Sequence, residues 1–304
     1  FLQKRGATDA RAWFIMATFV AVSCSIFLVI SMIMTKGQEH MPENGHFDPL
    51  KALKEIPLML KDFWELLHLK TMRILLLFKA CFNTAFGLYT SAMVFFLQYR
   101  MGLGNEVTST VYTVQTVVNL LTVFVMSWLG IKLGKTVTIL LSMIIAGVGC
   151  LFFYVVGIHS FATLMIFIVM FAIAVSCFWQ LSGAIFYDVT EVDEFTNGKR
   201  REGAITSLQS GIGSLASAAI VPLIGRYLES SGFDASAAVQ PETAMLALDK
   251  LFILMPGVCF AVGVAVLFLY PLNKKRFHSL QVVVDRKRKG LGYEEYQQDM
   301  DKIF

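Results

Sequence analysis

The sequence predicts an all-α integral membrane protein, a bundle of about seven transmembrane helices with no soluble domain. Three observations predict it. Hydrophobic residues make up 56 % of the 304-residue chain and charged residues only 16 %, against roughly 45–50 % and 25 % in soluble domains, and the mean hydropathy is +0.63. The apolar residues fall in runs of about the 20 residues that a bilayer core requires. No hydrophilic domain separates the runs, so the chain reads as one membrane unit.

The runs lie near 12–34, 72–98, 107–129, 136–157, 161–187, 204–227 and 248–271. Between the first two, the stretch 48–68 opens with Asp48-Pro49 and sets Leu50, Leu53, Ile56, Leu60, Phe63, Trp64 and Leu67 at helical spacing. It predicts an amphipathic helix lying on the bundle or the membrane surface, with Pro57 as a point where it could break. The other long connection, 228–247, is polar, carrying Glu229, Asp234, Gln240 and Glu242. After the last run, 274–304 is charged, with Arg-Lys-Arg-Lys at 286–289. That segment reads as a solvated tail, a contact with anionic lipid being the alternative.

Basic residues beside the spans set the orientation. Thirteen flank one side: Lys36, Lys51, Lys54, Lys61, Lys70, Lys132, Lys135, Lys199, Arg200, Arg201, Lys274, Lys275 and Arg276. Six flank the other: Lys4, Arg5, Arg11, Arg100, Arg226 and Lys250. The C-terminus is therefore expected in the cytoplasm and the N-terminus outside. The net charge of +4 is spread along these flanks rather than gathered in one patch, which does not suit nucleic acid. Cys24, Cys81, Cys150, Cys177 and Cys259 stand singly in apolar runs, so neither a zinc spacing nor a disulfide framework is expected. The chain starts at Phe1 without a signal-peptide pattern.

Seven spans with the N-terminus outside is also the topology of a seven-helix receptor. The chain lacks the acidic-Arg-aromatic triplet after the third span, and its seventh ends FLYPLNKK rather than in Asn-Pro-x-x-Tyr. Gly130 to Gly134 before Lys135-Thr136 has three residues between its glycines where a phosphate loop has four, and it falls between two helices. Catalytic signatures are missing too, and no enzyme is expected.

The segment Cys177 to Gly203 is the most informative. It leaves the membrane through Trp179 and Gln180, then places Asp188, Glu191 and Glu194 at three-residue intervals, close to one face of a continuing helix. Lys199, Arg200, Arg201 and Glu202 follow. Opposite charges at a helix end can form ion pairs that hold one conformation of a gate and break in the other. Lys79, the only charge well inside the spans, sits a few residues from one end, where a long side chain snorkels outward or serves function.

The pattern Trp179, Asp188-x-x-Glu191-x-x-Glu194, Arg200-x-Glu202 and Gln209 resembles the glycoside–pentoside–hexuronide cation symporters, typified by melibiose permease, of the major facilitator superfamily. Asn119 sixteen residues before Lys135, the central-loop helix and the basic KKRFHSLQ tail are similar as well. The resemblance covers essentially the whole chain. It implies a partial major facilitator bundle, the sixth to twelfth helices of twelve, with the first five outside this chain. It implies no cofactor beyond a coupling Na⁺ or H⁺, whose carboxylate site is expected in the N-terminal half. Ser214 stands where the family usually carries a lysine near that cation site.

On this reading residues 1–34 are the last helix of the N-terminal bundle, 35–71 the cytoplasmic central loop, 72–271 the C-terminal six-helix bundle and 272–304 the cytoplasmic tail. The implied function is sugar or glycoside transport coupled to Na⁺ or H⁺ by alternating access at the cell membrane. Its partners are the sugar, membrane lipids and the missing five helices, without nucleic acid. The sugar-facing candidates are Trp179, Gln180, Gln209, Ser210 and Asn119, an aromatic face with amide and hydroxyl groups. The gate candidates are Asp188, Glu191, Glu194, Arg200 and Glu202. A major facilitator carrier of a non-sugar solute is the nearer alternative, and a seven-helix receptor the more distant one.

Overall fold

The computed structural model describes residues 10–36, 49–234, 237 and 239–303. Lys4 and Arg5 lie outside the described residues, as do the side chains of Leu50, Lys51, Leu53 and Lys54. Two compact units divide the chain, Phe1–Ile56 and Pro57–Phe304. Among the described residues the regular structure is entirely helical, and seven helices are long and apolar enough to cross a membrane.

The first unit contains α1, Ala10–Thr35. Helix α2, Pro49–His68, begins in the first unit, ends in the second and is not interrupted at Pro57. The spans of the second unit follow. Helix α3 runs Lys70–Phe95 and continues through a π turn at Phe96–Arg100; α4 is Asn105–Leu133, α5 Lys135–Val156, α6 Phe161–Asn197 and α7 Glu202–Ser230. Helix α8 comprises Glu242–Asp249, a π turn at Lys250–Leu254 and Met255–Phe268. Pro256 accounts for that π turn: proline has no N–H and crowds the carbonyl four residues back, so the preceding turn widens.

Helix α6 packs on α4, α5 and α7, while α3 packs on α7 and α8, and α5 closes on α8. The centre is aromatic. Phe82 of α3 stacks on Phe178 of α6 with ring centroids 3.5 Å apart, and Tyr89 stacks on Phe171 at 3.8 Å and on Phe252 of α8 at 5.2 Å. Planar rings bring much apolar area into contact with few rotors to freeze. Where α5 meets α8 the helices approach through glycine: a Cβ on Gly257 would stand 2.7 Å from the Cβ of Cys150. Helices α4 and α7 are the least enclosed of the six, leaving an exposed face with α6 between them.

Two expectations are corrected. The predicted apolar stripe of α2 is divided: Leu66 is buried and Phe63 and Leu67 partly so, while Ile56, Leu60 and Trp64, four residues apart, are exposed. A stripe at that spacing pointing outward suits a bilayer surface. The segment after the last span is not solvated throughout. Residues Lys274–Arg288 form α9, whose Leu280, Val283 and Val284 are buried, as are Met300 and Ile303 beyond it. Apolar residues at i, i+3 and i+4 on α9 explain the docking.

Candidate functional site

The basic end of α6 carries the charged part of the site. A 37-residue helix is about 55 Å long, well beyond a bilayer core of about 30 Å, so its last turns project from the membrane. Gly198 stops it in the left-handed conformation, φ 66°, which glycine adopts without a Cβ penalty. The chain reverses there and lays Arg200 and Arg201 back along the acidic turns. Arg200 donates to Glu202 at 2.8 Å and lies 3.4 Å from Glu191 and 3.3 Å from Glu194. Glu194 also accepts two bonds from Arg288 of α9, both 2.6 Å.

Arg201 holds a different and more enclosed set. It donates to both oxygens of Asp193, at 2.5 and 2.9 Å, and to Asp62 at 2.9 Å and Glu65 at 2.6 Å on α2. The Asp193 side chain is 0 % exposed and that of Arg201 9 %. Hydrogen bonds from Lys199 and Arg201 hold the Glu65 carboxyl below its ordinary value. The bond to Asp193 leads the causes that raise the Arg201 guanidinium, which stays charged.

Asp188 stands apart from both sets. Gly134, φ 94°, is the single residue between α4 and α5, so Lys135 begins α5 close to α6. Its ammonium donates to Asp188 at 2.6 Å and to the Ala184 carbonyl at 3.2 Å. The pair borders a cavity of about 450 Å³ lined also by Gly130, Gln180, Lys274 and Phe277. Of the five gate candidates, then, Glu191, Glu194, Arg200 and Glu202 come together, and Asp188 pairs elsewhere.

Deeper in the bundle, Trp179 is 53 % exposed on α6, its ring edge-on to Phe82, Phe86 and Phe178. Gln180 on the next position donates to Ser127 of α4 at 3.0 Å, and Asn119 accepts from Ser176 at 2.8 Å. Both amides thus join α4 to α6. On α7, Gln209 is half-buried while Ser210 and Ser214 are exposed. Lys79 does not snorkel to the surface. It is 6 % exposed, its ammonium 5.7 Å from the ring centre of Phe178, 5.9 Å from Trp179 and 5.8 Å from Phe186. Asn83, one turn on, donates to the Lys79 carbonyl at 2.9 Å, and a Cβ on Gly213 of α7 would stand 3.4 Å from Lys79 Cε.

Sequence reasoning missed Asp193, Asp62, Glu65 and Arg288 as members of the charged network, and named Lys199 and Arg201 among its basic residues without placing them in the gate. The nearest signal was the Asp62-x-x-Glu65 spacing, which puts two carboxylates on one face of α2. Nothing in the sequence says that this face meets Arg201, 136 positions after Glu65.

Seven apolar spans, charge clusters at helix ends and an aromatic surface around Trp179 fit a multi-pass membrane protein of the transporter class. The model of the MFS/sugar transport protein family matches residues 1–274, and the chain belongs to that family. It is 24 % identical over 242 residues to an uncharacterized symporter of Synechocystis sp., covering 78 % of this chain and 43 % of that protein. It is 23 % identical over 268 residues to the isoprimeverose transporter of Lactiplantibacillus pentosus, covering 88 % and 53 %. To the glucuronide carrier protein homolog of Escherichia coli K12 it is 25 % identical over 158 residues, covering 52 % and 34 %. The chain spans about half the length, or less, of the curated relatives it matches.

Proposed function

We propose that this chain is the C-terminal part, the sixth to twelfth helices, of a sugar or glycoside symporter driven by Na⁺ or H⁺ and working by alternating access. The observation that carries the reading is the paired arrangement on α6. A half-exposed Trp179 lies midway along it, and ion pairs further on tie it to Lys135 of α5, to Arg288 of α9 and, through Arg200 and Arg201, to α7 and α2. Sugars are held by aromatic faces with amide and hydroxyl partners, and rocking bundles are latched by contacts at their ends. The names of the isoprimeverose transporter and the symporter among the relatives support the same solute class and coupling.

In this reading α1 belongs to the preceding bundle, α2 to a cytoplasmic central loop, and the end bearing α2 and α9 faces the cytoplasm of a cell-membrane protein. Trp179, Gln209 and Ser210 face the sugar, with Gln180 and Asn119 holding α4 against α6 behind them. The coupling cation binds mainly to the preceding helices. The test is uptake of radiolabelled glycosides and pentosides by membrane vesicles containing the full-length transporter, with and without imposed Na⁺ and H⁺ gradients. Gradient-driven uptake names the cation. No uptake of any sugar by folded, inserted protein rejects the sugar reading and moves the solute to another class within the family.

A further inference from the structure

Lys79 takes part in none of the ion pairs at the helix ends. An ammonium group within a membrane bundle is expensive, and such residues ordinarily pair with an acid, a carbonyl or water in a cavity. Among the described residues no carboxylate lies within ion-pair distance of Lys79, and its Nζ has no hydrogen bond. Three ring faces at 5.7–5.9 Å lower the cost of the charge but do not neutralise it. If the position were only structural, an apolar residue would fill it without that cost.

The surroundings say what the charge meets. Trp179, whose ring is one of the three, is itself half exposed on the face assigned to the sugar. The Asn83 side-chain oxygen lies 3.6 Å from where a Cβ on Gly213 would be, so an amide oxygen, an ammonium and an aromatic ring meet where α7 comes close to α3 and α6. The absence of a side chain on Gly213 leaves room beside the lysine stem. A donor charge, an aromatic platform and an amide form a set suited to a sugar that carries an anionic substituent, because the anion supplies the missing counter-charge and the ring supplies the stacking surface.

We propose that Lys79 is an anion-recognition residue that pairs with the carboxylate of an acidic sugar bound against Trp179, making a sugar acid the preferred substrate. The inference rests on the sugar-transport reading of the same site. It is compatible with the glucuronide carrier homolog among the relatives but stands on the unpaired ammonium.

The experiment uses the full-length transporter in proteoliposomes, with methyl β-D-glucuronide and the matched neutral methyl β-D-glucoside as probes, measuring equilibrium binding and uptake for each. The wild-type protein holds the glucuronide at least about tenfold tighter than the glucoside, as a hydrogen bond between charged groups implies. Lys79→Met removes the preference by weakening the glucuronide while leaving the glucoside within about twofold. Lys79→Arg, which keeps the charge, retains part of it and serves as the second variant where Lys79→Met fails to give a monodisperse protein. A wild-type protein without the preference, or a Lys79→Met that weakens both probes equally, overturns the anion site while the glucoside data leave sugar transport standing. Failure of folded wild-type protein to bind either probe overturns this inference, while uptake of other glycosides and pentosides decides the sugar reading separately.

Discussion

Arg200 and Arg201 are chain neighbours with very different surroundings. Arg200 is half exposed, with Glu202 exposed beside it and Glu191 and Glu194 partly enclosed, so water reaches the guanidinium, screens its ion pairs and leaves each contributing little, under about 1 kcal/mol. Arg201 is enclosed and is the ion-pair partner of a fully buried Asp193. Removing it leaves that charge unpaired, which costs about 3–5 kcal/mol in buried pairs. Thermal unfolding of the purified protein in detergent should therefore show Arg201→Ala strongly destabilised and Arg200→Ala close to wild type. Similar losses from the two would mean that Asp193 is rescued by another partner. Arg201→Lys should recover little, because one ammonium cannot reproduce the fork that engages Asp193, Asp62 and Glu65 at once.

At the scale of elements, two contacts are predicted to matter out of proportion to their size. The α5–α8 crossing depends on Gly257, where an added Cβ would meet the Cβ of Cys150 at 2.7 Å, an atom fixed to the backbone. Gly257→Ala should force the helices apart and cost about 1–3 kcal/mol, read as a lower unfolding temperature, with Gly257→Ala/Cys150→Gly regaining part of the loss. The docking of α2 should be acid-sensitive. The Glu65 carboxyl is held below its ordinary value by Lys199 and Arg201, so protonation weakens the folded arrangement. A depressed carboxyl contributes fully above its unfolded value, ~4.3, and progressively less as pH falls below it. A spin label at Lys61 should be immobile at neutral pH and loosen under acid below that value, and Glu65→Gln should remove the step. A label equally mobile at both pH values would show that α2 is held by its apolar contacts alone.

For the whole molecule, the far part of α6 is tied to α5 and α9 by ion pairs from Asp188 and Glu194, and to α2 and α7 through Arg201 and Arg200, so motion of that end breaks several at once. Weakening the isolated Asp188–Lys135 pair should change how the transporter moves more than what it binds. In the full-length protein Asp188→Asn and Lys135→Met should each slow sugar uptake on the order of tenfold with equilibrium binding nearly unchanged; equal losses in both would place the pair in the binding step. The class of fold was legible in the residues alone, because a run of some 20 apolar residues has few alternatives to a membrane helix and seven such runs recur. So was the family, through the spaced carboxylates, arginine and glutamine of 188–209, and the matching family model agrees. The sequence also marked Trp179 and the acidic turns of α6, since those residue types at those spacings are themselves informative. Packing settled the rest: Asp188 belongs to Lys135, Arg201 rather than Arg200 holds the enclosed pair, the tail docks and Lys79 is buried beside Trp179. Most of those outcomes depend on which helix faces meet across long stretches of chain, 53 residues between Lys135 and Asp188 and 94 between Glu194 and Arg288. A local pattern sets the face of a helix that is apolar, and the packing of its neighbours sets what each polar side chain on it will find.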